Sequence, residues 1–237
     1  MKPLLTLENI VRAFADFVYP PACSTCWRSL ARGESYICRN CWEGFERVAP
    51  TESITQLIEE KFLADRSLDK IDSVFLFEQD PRVRIAVHLL KYAGAENIAR
   101  QFGVFIANKI AGDEKISTSD IIAPVPLHPA RKRERGYNQS ELISNAIVLE
   151  LGIPHEPRLV ERTRQTQTQT MLDAEERKKN IEGAFSVGRN FLDSLPGKKV
   201  LLIDDVITTG STIKECAKVL KENGAAEVFA ASAAITI

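Results

Sequence analysis

The sequence predicts an α/β protein, a mainly parallel sheet flanked by helices, with a small cysteine-bearing unit at its N-terminus. Three observations carry that expectation. From about residue 73, short apolar runs alternate with amphipathic stretches: residues 73–77, 121–125, 200–203 and 228–234 read as strands, and residues 82–90, 95–110, 139–151 and 211–223 as helices. Strands separated by helices imply crossovers and parallel neighbours. Second, residues 200–203 are apolar without alternation, the pattern of a strand buried on both faces. Third, four of the five cysteines fall in two Cys-x-x-Cys pairs within the first fifty residues.

At 237 residues the chain holds one medium domain and a small one, since domains run to roughly 100–200 residues. Apolar residues make up 44% and charged residues 27%, the balance of an ordinary globular protein. A formal net charge of −1 excludes a global positive field, so any anion binding must be local. No apolar run approaches the roughly 20 residues that span a bilayer. The N-terminal run is short and broken by Glu8 and Arg12, unlike a signal peptide. A cytoplasmic protein with no membrane span is expected.

Residues 4–18 carry a helical stripe of Leu4, Leu7, Ile10, Val11, Phe14, Phe17 and Val18, stopped by Tyr19-Pro20-Pro21. With the cysteine pairs they form an expected first unit, residues 1–50. Residues 51–72 are polar, with a weak helical pattern at Ile54, Leu57, Ile58 and Phe62, and read as a connector. Residues 73–237 form the α/β domain.

Cys23, Cys26, Cys38 and Cys41 have the spacing of a structural zinc site, in which each knuckle delivers two sulfurs and the closed shell leaves no room for a catalytic water. A redox dithiol or a pair of disulfides is the competing reading. A redox Cys-x-x-Cys is usually single and sits at a strand–helix junction, which neither pair does. Cys216 shares a helix face with Ile213, Ala217 and Leu220 and reads as core.

The stretch KVLLIDDVITTGST, residues 199–212, ends an apolar strand in Asp204 and Asp205 and then turns into a helix. A turn feeding a helix presents unpaired N–H groups and the positive end of the dipole, a site for a phosphate. Thr208, Thr209, Ser211 and Thr212 add hydroxyls, and Gly210 lets the backbone come close. The two carboxylates are better placed beside the phosphate, accepting from sugar hydroxyls or holding Mg²⁺. Upstream, Arg131, Lys132, Arg133, Glu134 and Arg135 put four cations and one anion in a loop expected at the same sheet edge, suited to a pyrophosphate. Between them lies a donor-rich segment, Arg162 to Gln169, with almost no apolar anchor, expected to close over a ligand. His128 reads as a packed or capping residue. Lys91 and Tyr92 end a helix and either reach the ligand edge or cap that helix.

The acidic strand end and T-T-G-x-T loop resemble the phosphoribosyl pyrophosphate (PRPP) motif of type I phosphoribosyltransferases. Together with the double Cys-x-x-Cys, Leu90-Lys91-Tyr92-x-Gly94, Pro124-x-Pro126-Leu127-His128, Arg135-Gly136-Tyr137-Asn138-Gln139 and Arg162-x-Arg164-x-Thr166-x-x-Gln169, the chain resembles the ComF family over about residues 15–235. That family is linked to natural competence. The resemblance implies a type I phosphoribosyltransferase-like sheet with an N-terminal zinc ribbon. It also implies PRPP as ligand and Mg²⁺ beside structural zinc. By the same resemblance Asp204 and Asp205 meet the ribose hydroxyls, and Thr208, Thr209, Gly210, Ser211 and Thr212 hold the 5-phosphate. The basic run makes Arg131, Arg133 and Arg135 the candidates for the pyrophosphate, and Asp204, Asp205 and Arg164 of the closing loop are the candidate catalytic residues. Two functions stand at this point: a Mg²⁺-dependent transferase with an unnamed nitrogen acceptor, or a non-catalytic competence factor that binds single-stranded DNA, works with the DNA-uptake helicase machinery and uses PRPP or a nucleotide as a ligand. Arg28, Arg32, Arg39, Trp27, Tyr36 and Trp42 in the cysteine unit suit the second.

Overall fold

The structure, a computed structural model, describes residues 20–163 and 181–237. The expected helix at 4–18 and most of the donor-rich segment, Arg164 included, lie outside the described residues. The chain divides into two compact units, Met1–Phe45 and Glu46–Ile237.

In the first unit the two knuckles are held by short-range backbone bonds: Trp27 N–H donates to the Cys23 carbonyl at 2.8 Å, and Cys41 and Trp42 N–H groups both donate to the Cys38 carbonyl. The second knuckle opens helix α1, Arg39–Glu43. Trp27 and Tyr36 adopt positive φ of 63° and 62°, a conformation uncommon for residues other than glycine.

The second unit begins with α2, Glu52–Ile58, capped by the Thr51 hydroxyl and running into a π-helical turn, Glu59–Leu63. Residues 51–72 thus form part of this unit, because Phe62 and Leu68 are buried in its core. Next come β1, Lys70–Leu76; α3, Pro81–Tyr92; α4, Glu96–Ile110; and β2, Ile121–Pro124. They are followed by α5, Pro129–Arg135; α6, Gln139–Leu151; β3, Val160–Arg162; and β4, Phe185–Val187. The unit closes with β5, Lys199–Ile207; α7, Ser211–Glu222; and β6, Glu227–Ile235.

Among the described residues, four strands form a parallel sheet in the order β1-β6-β5-β2. The centre is β5 and β6, where Val200, Leu201, Leu202 and Ile203 are fully buried. A small antiparallel pair, β3-β4, lies apart from that sheet and was not expected: each strand has three residues, too few for periodicity to register. The basic stretch at 131–135 is helical where a loop was expected. Its boundaries follow simple chemistry, with Pro129 at the first helical position, the His128 ring accepting from the Ala130 N–H at 3.1 Å, and Gly136 closing the helix at φ +80°. Among the described residues no helix is long and apolar enough to cross a membrane.

Because the strands are parallel, β1, β2 and β5 deliver their C-terminal ends to one edge. Helix α6 is drawn to that edge by the Asn138 amide, which donates to the Val125 carbonyl at 3.0 Å, and by the Tyr137 hydroxyl, which donates to the Leu90 carbonyl at 2.5 Å. Its close packing on α4 depends on Gly103, where an added Cβ would lie 2.4 Å from the Ala146 Cβ and 2.8 Å from the Ile143 carbonyl oxygen. Backbone cannot yield cheaply there. Gly103→Ala should lower stability by about 1–3 kcal/mol in urea unfolding, the range for overpacking; an unchanged midpoint would contradict this packing.

Candidate functional site

The sheet edge opens into a cleft of about 260 Å³, bordered by Phe77 after β1, Lys91 at the end of α3, residues 125–128 after β2, Arg131 and Arg135 of α5, Gln139 and Ser140 of α6, Arg162, and Asp204, Asp205, Val206, Thr208 and Thr212 at and beyond the end of β5. Beside it, a smaller cavity of about 60 Å³ is lined by Thr208, Thr209, Gly210, Ser211 and Thr212, together with Ile181 and Asp204. All five cradle residues expected from the sequence meet there.

The cradle is the entrance of α7. Gly210, at the N-cap, takes φ +76° and offers no side chain, the Thr209 hydroxyl takes only the Ser211 N–H at 3.4 Å, and the first turn carries no acid, so the following N–H groups and the dipole remain for an anion. The Thr209 and Ser211 hydroxyls lie 3.0 Å apart and support the turn. Phe62 buttresses it from behind: a Cβ at residue 210 would lie 2.7 Å from that ring. Lys214, one turn into α7, donates to the Lys61 carbonyl at 2.9 Å and pairs with Asp65 at 3.0 Å, tying the cradle to the π-helical turn.

The two aspartates are treated differently. Asp205 is buried, accepts from the Val206 N–H at 2.7 Å, and pairs with Lys91 Nζ at 3.1 Å. Asp204 accepts the Ser140 hydroxyl at 3.0 Å and the Asp205 N–H at 2.9 Å. Burial first and the Asp205 charge second push its pKa from 3.8 up to about 7, against the pull of those hydrogen bonds and of Lys91. Near neutral pH it is poised between an acceptor-only carboxylate and a group able to donate.

Arg131 and Arg135 line the cleft, whereas Arg133, on the same helix, is exposed and does not. Arg164 lies outside the described residues. Arg162 lines the cleft two residues earlier, with its guanidinium 5.3 Å over the Phe185 ring. Burial, and secondarily the positive Arg131, hold the Arg162 pKa below its ordinary value, and the Cys216 thiol offsets them in part. Lys91, between the two expectations for it, reaches the site. Gln139 was legible only as the last residue of the R-G-Y-N-Q run, Ser140 just beyond it gave no signal, and neither did Phe77, because one aromatic after a strand is ordinary core composition.

In the first unit the four sulfurs of Cys23, Cys26, Cys38 and Cys41 lie within 4.8 Å of one another, all four unbridged. Cys23–Cys41 and Cys26–Cys38 sulfurs are each 3.8 Å apart. A tetrahedral ion with bonds of about 2.3 Å to sulfur sets its ligands about 3.8 Å apart, so this donor set fits such a metal. Burial raises the Cys23 thiol, but hydrogen bonds from Thr25 and from the backbone of Cys38, Thr25 and Cys26 outweigh it and bring the pKa down to about 6. Burial pushes Cys41 up to about 12. Four thiolates cannot coexist there without a cation to offset their charge.

An open helix entrance, an acid pair on the adjoining strand end and cations across one cleft meet at a single sheet edge. The family pattern described as phosphoribosyl transferase domain matches residues 93–234, more than half of the chain. Competence protein F of Haemophilus influenzae is 40% identical over 114 residues, covering 48% of this chain and 49% of that protein. DNA utilization protein YhgH of Salmonella typhimurium is 34% identical over 163 residues, covering 65% of this chain and 68% of that one. The chain belongs to the ComF family and carries a phosphoribosyl transferase domain. It spans about half the length of the Haemophilus relative. Among solved structures, it is similar to a glutamine PRPP amidotransferase from B. subtilis at TM-score 0.38 and 21% identity, covering 56% of this chain and 25% of that one. An orotate phosphoribosyltransferase from Aeropyrum pernix gives TM-score 0.33 at 17% identity, covering 75% and 78%.

The Asp204 carboxyl gives a test. In the folded state it keeps its proton up to about pH 7, whereas an unfolded aspartate loses it near 3.8. Folding therefore takes up a proton between these values, and stability from this group falls as pH rises from about 4 to about 7. Asp204→Asn keeps the acceptor oxygen for Ser140 and Asp205, so it should flatten that decline and be more stable than wild type at pH 7.5 in urea titrations. Parallel pH profiles for the two proteins would contradict the assignment.

Proposed function

We propose that the cleft binds PRPP as its Mg²⁺ complex and supports phosphoribosyl transfer, and that the protein serves DNA uptake or utilisation. The observation that supports it best is the convergence on one parallel-sheet edge of an acid-free helix entrance, the Asp204–Asp205 pair and the cations Lys91, Arg131, Arg135 and Arg162. A ligand with one phosphate at one end, hydroxyls in the middle and a polyanion at the other matches that order. The 5-phosphate sits in the cradle at residues 208–212, the ribose hydroxyls donate to Asp204 and Asp205, and the pyrophosphate faces Arg131 and Arg135. Mg²⁺ would arrive on the pyrophosphate oxygens and offset their charge. Asp205 is already paired with Lys91, which suits hydrogen bonding to a sugar better than direct metal ligation.

In the transfer, the bond from C1 to the pyrophosphate oxygen breaks with its electron pair leaving on pyrophosphate, and a nitrogen nucleophile forms the new bond to C1 and gives up a proton. The chain's part is positioning and charge stabilisation, with the guanidiniums gathering the leaving group's charge. Replacing both Asp204 and Asp205 by alanine should weaken PRPP binding by more than about 1.5–3 kcal/mol in calorimetry with Mg²⁺ present. Equal affinity in wild type and variant would mean that the motif is structural only.

The cysteine unit is proposed to hold structural zinc through Cys23, Cys26, Cys38 and Cys41, on the strength of the sulfur spacing. Metal analysis of reduced, freshly purified protein should find about one zinc per chain, and Cys38→Ser should lose it while the PRPP site persists. Zinc-free wild type would overturn this. The link to DNA rests on the relatives' names, competence protein and DNA utilization protein. Trp27, 81% exposed beside Arg28 on the first knuckle, favours direct contact with single-stranded DNA, whereas Trp42 is buried.

A further inference from the structure

Gln139 is a costly residue to place where it stands. It opens α6, is 2% exposed and borders the large cleft but not the smaller cradle cavity. Its Oε1 accepts from the Arg135 guanidinium at 3.1 Å, and this fixes the amide's orientation, because only the oxygen can receive that bond. The Nε2 donor on the other side is buried and has no hydrogen-bond partner among the described residues. The Arg135 Nε is in the same condition. A buried donor without an acceptor costs about 1–3 kcal/mol, and two side by side at the wall of a cleft point to a ligand that supplies the acceptors.

The surroundings narrow that ligand. Arg135 is itself held in place, its guanidinium carbon 5.1 Å over the Tyr92 ring and its terminal nitrogen 3.4 Å from the Tyr92 hydroxyl, so the pair Arg135–Gln139 presents its donors from a fixed frame. The next residue, Ser140, bonds Asp204, which places Gln139 on the α6 side of the acid pair, across from the cradle of α7. The Arg135 charge, passed through Oε1, makes the Nε2 protons better donors. An oxyanion with several acceptor oxygens answers both orphan donors at once.

We propose that the Gln139 side-chain amide, held by Arg135, binds the pyrophosphoryl oxygens of PRPP and is a specificity determinant that distinguishes PRPP from ribose 5-phosphate. This rests on the PRPP reading of the cleft. Ribose 5-phosphate fills the cradle and meets the acid pair but leaves the Gln139 donors unanswered; PRPP answers them.

The test compares the two ligands by calorimetry, with Mg²⁺, on wild type, Gln139→Met and Gln139→Glu. The first variant removes donor and acceptor; the second keeps an acceptor for Arg135 but lacks the donor. Both should lose PRPP affinity by about ten-fold or more, the equivalent of one charge-assisted hydrogen bond, while ribose 5-phosphate affinity stays within about two-fold. The retained ribose 5-phosphate binding also reports that the site is folded. Unchanged PRPP affinity in Gln139→Met, or an equal fall for both ligands, would overturn the proposal. A wild type that does not prefer PRPP over ribose 5-phosphate would overturn the PRPP reading, and this proposal with it.

Discussion

The site depends on the parallel pairing of β5 between β2 and β6. Pro124 of β2 lies opposite Ile203, and the Val125 N–H extends that ladder by donating to the Ile203 carbonyl at 2.8 Å. The strand therefore emerges with its two aspartates beside the turn after β2, from which α5 and α6 carry the guanidiniums and the Gln139–Ser140 pair. The same pairing fixes where α7 starts, since Thr208 follows the last residue of β5 directly. Slip β5 by one residue and the acid pair trades faces, separating Asp204 from Ser140 and Asp205 from Lys91.

Placing carboxylates at the end of a buried strand has an electrostatic cost, and the structure meets it unevenly. Asp205 has a lysine. Asp204 has only neutral hydroxyl and amide donors, which do not offset its burial and the Asp205 charge, and its pKa rises to about 7. Across the cleft the problem is reversed, with burial first and the nearby Arg131 charge second disfavouring the charge on Arg162. A cleft with strained acids on its floor and crowded cations on its wall is stabilised by a ligand that brings hydroxyls to one and phosphates to the other. That complementarity, more than any single contact, connects the fold to the proposed chemistry.

Much of this was legible in the sequence because it rests on runs that periodicity captures. The expected strands and helices of the α/β unit match β1, β2, β5, β6, α3, α4, α6 and α7 to within a few residues. The strand–acid–acid–threonine-loop order carries its own geometry, since a buried strand followed by a glycine turn leaves little freedom. What escaped depended on tertiary context. The helix at 129–135 looked like a charged loop because its caps, a histidine and a glycine, are weaker signals than four cations. Arg133 could not be distinguished from Arg131 and Arg135 by composition, yet helical periodicity turns it out of the cleft. Phe62 looked like part of a polar connector, and its burial against Gly210 follows from long-range packing that no local pattern encodes.

The account's central claim is that one ligand spans the cleft from the entrance of α7 to Arg135. A crystal structure with PRPP and Mg²⁺ tests it most directly. The account predicts the 5-phosphate on the backbone N–H groups of residues 208–212, the ribose hydroxyls on Asp204 and Asp205, and the pyrophosphate beside Arg131 and Arg135. Phosphate density confined to another surface, or PRPP bound with its pyrophosphate in the cradle, would contradict it.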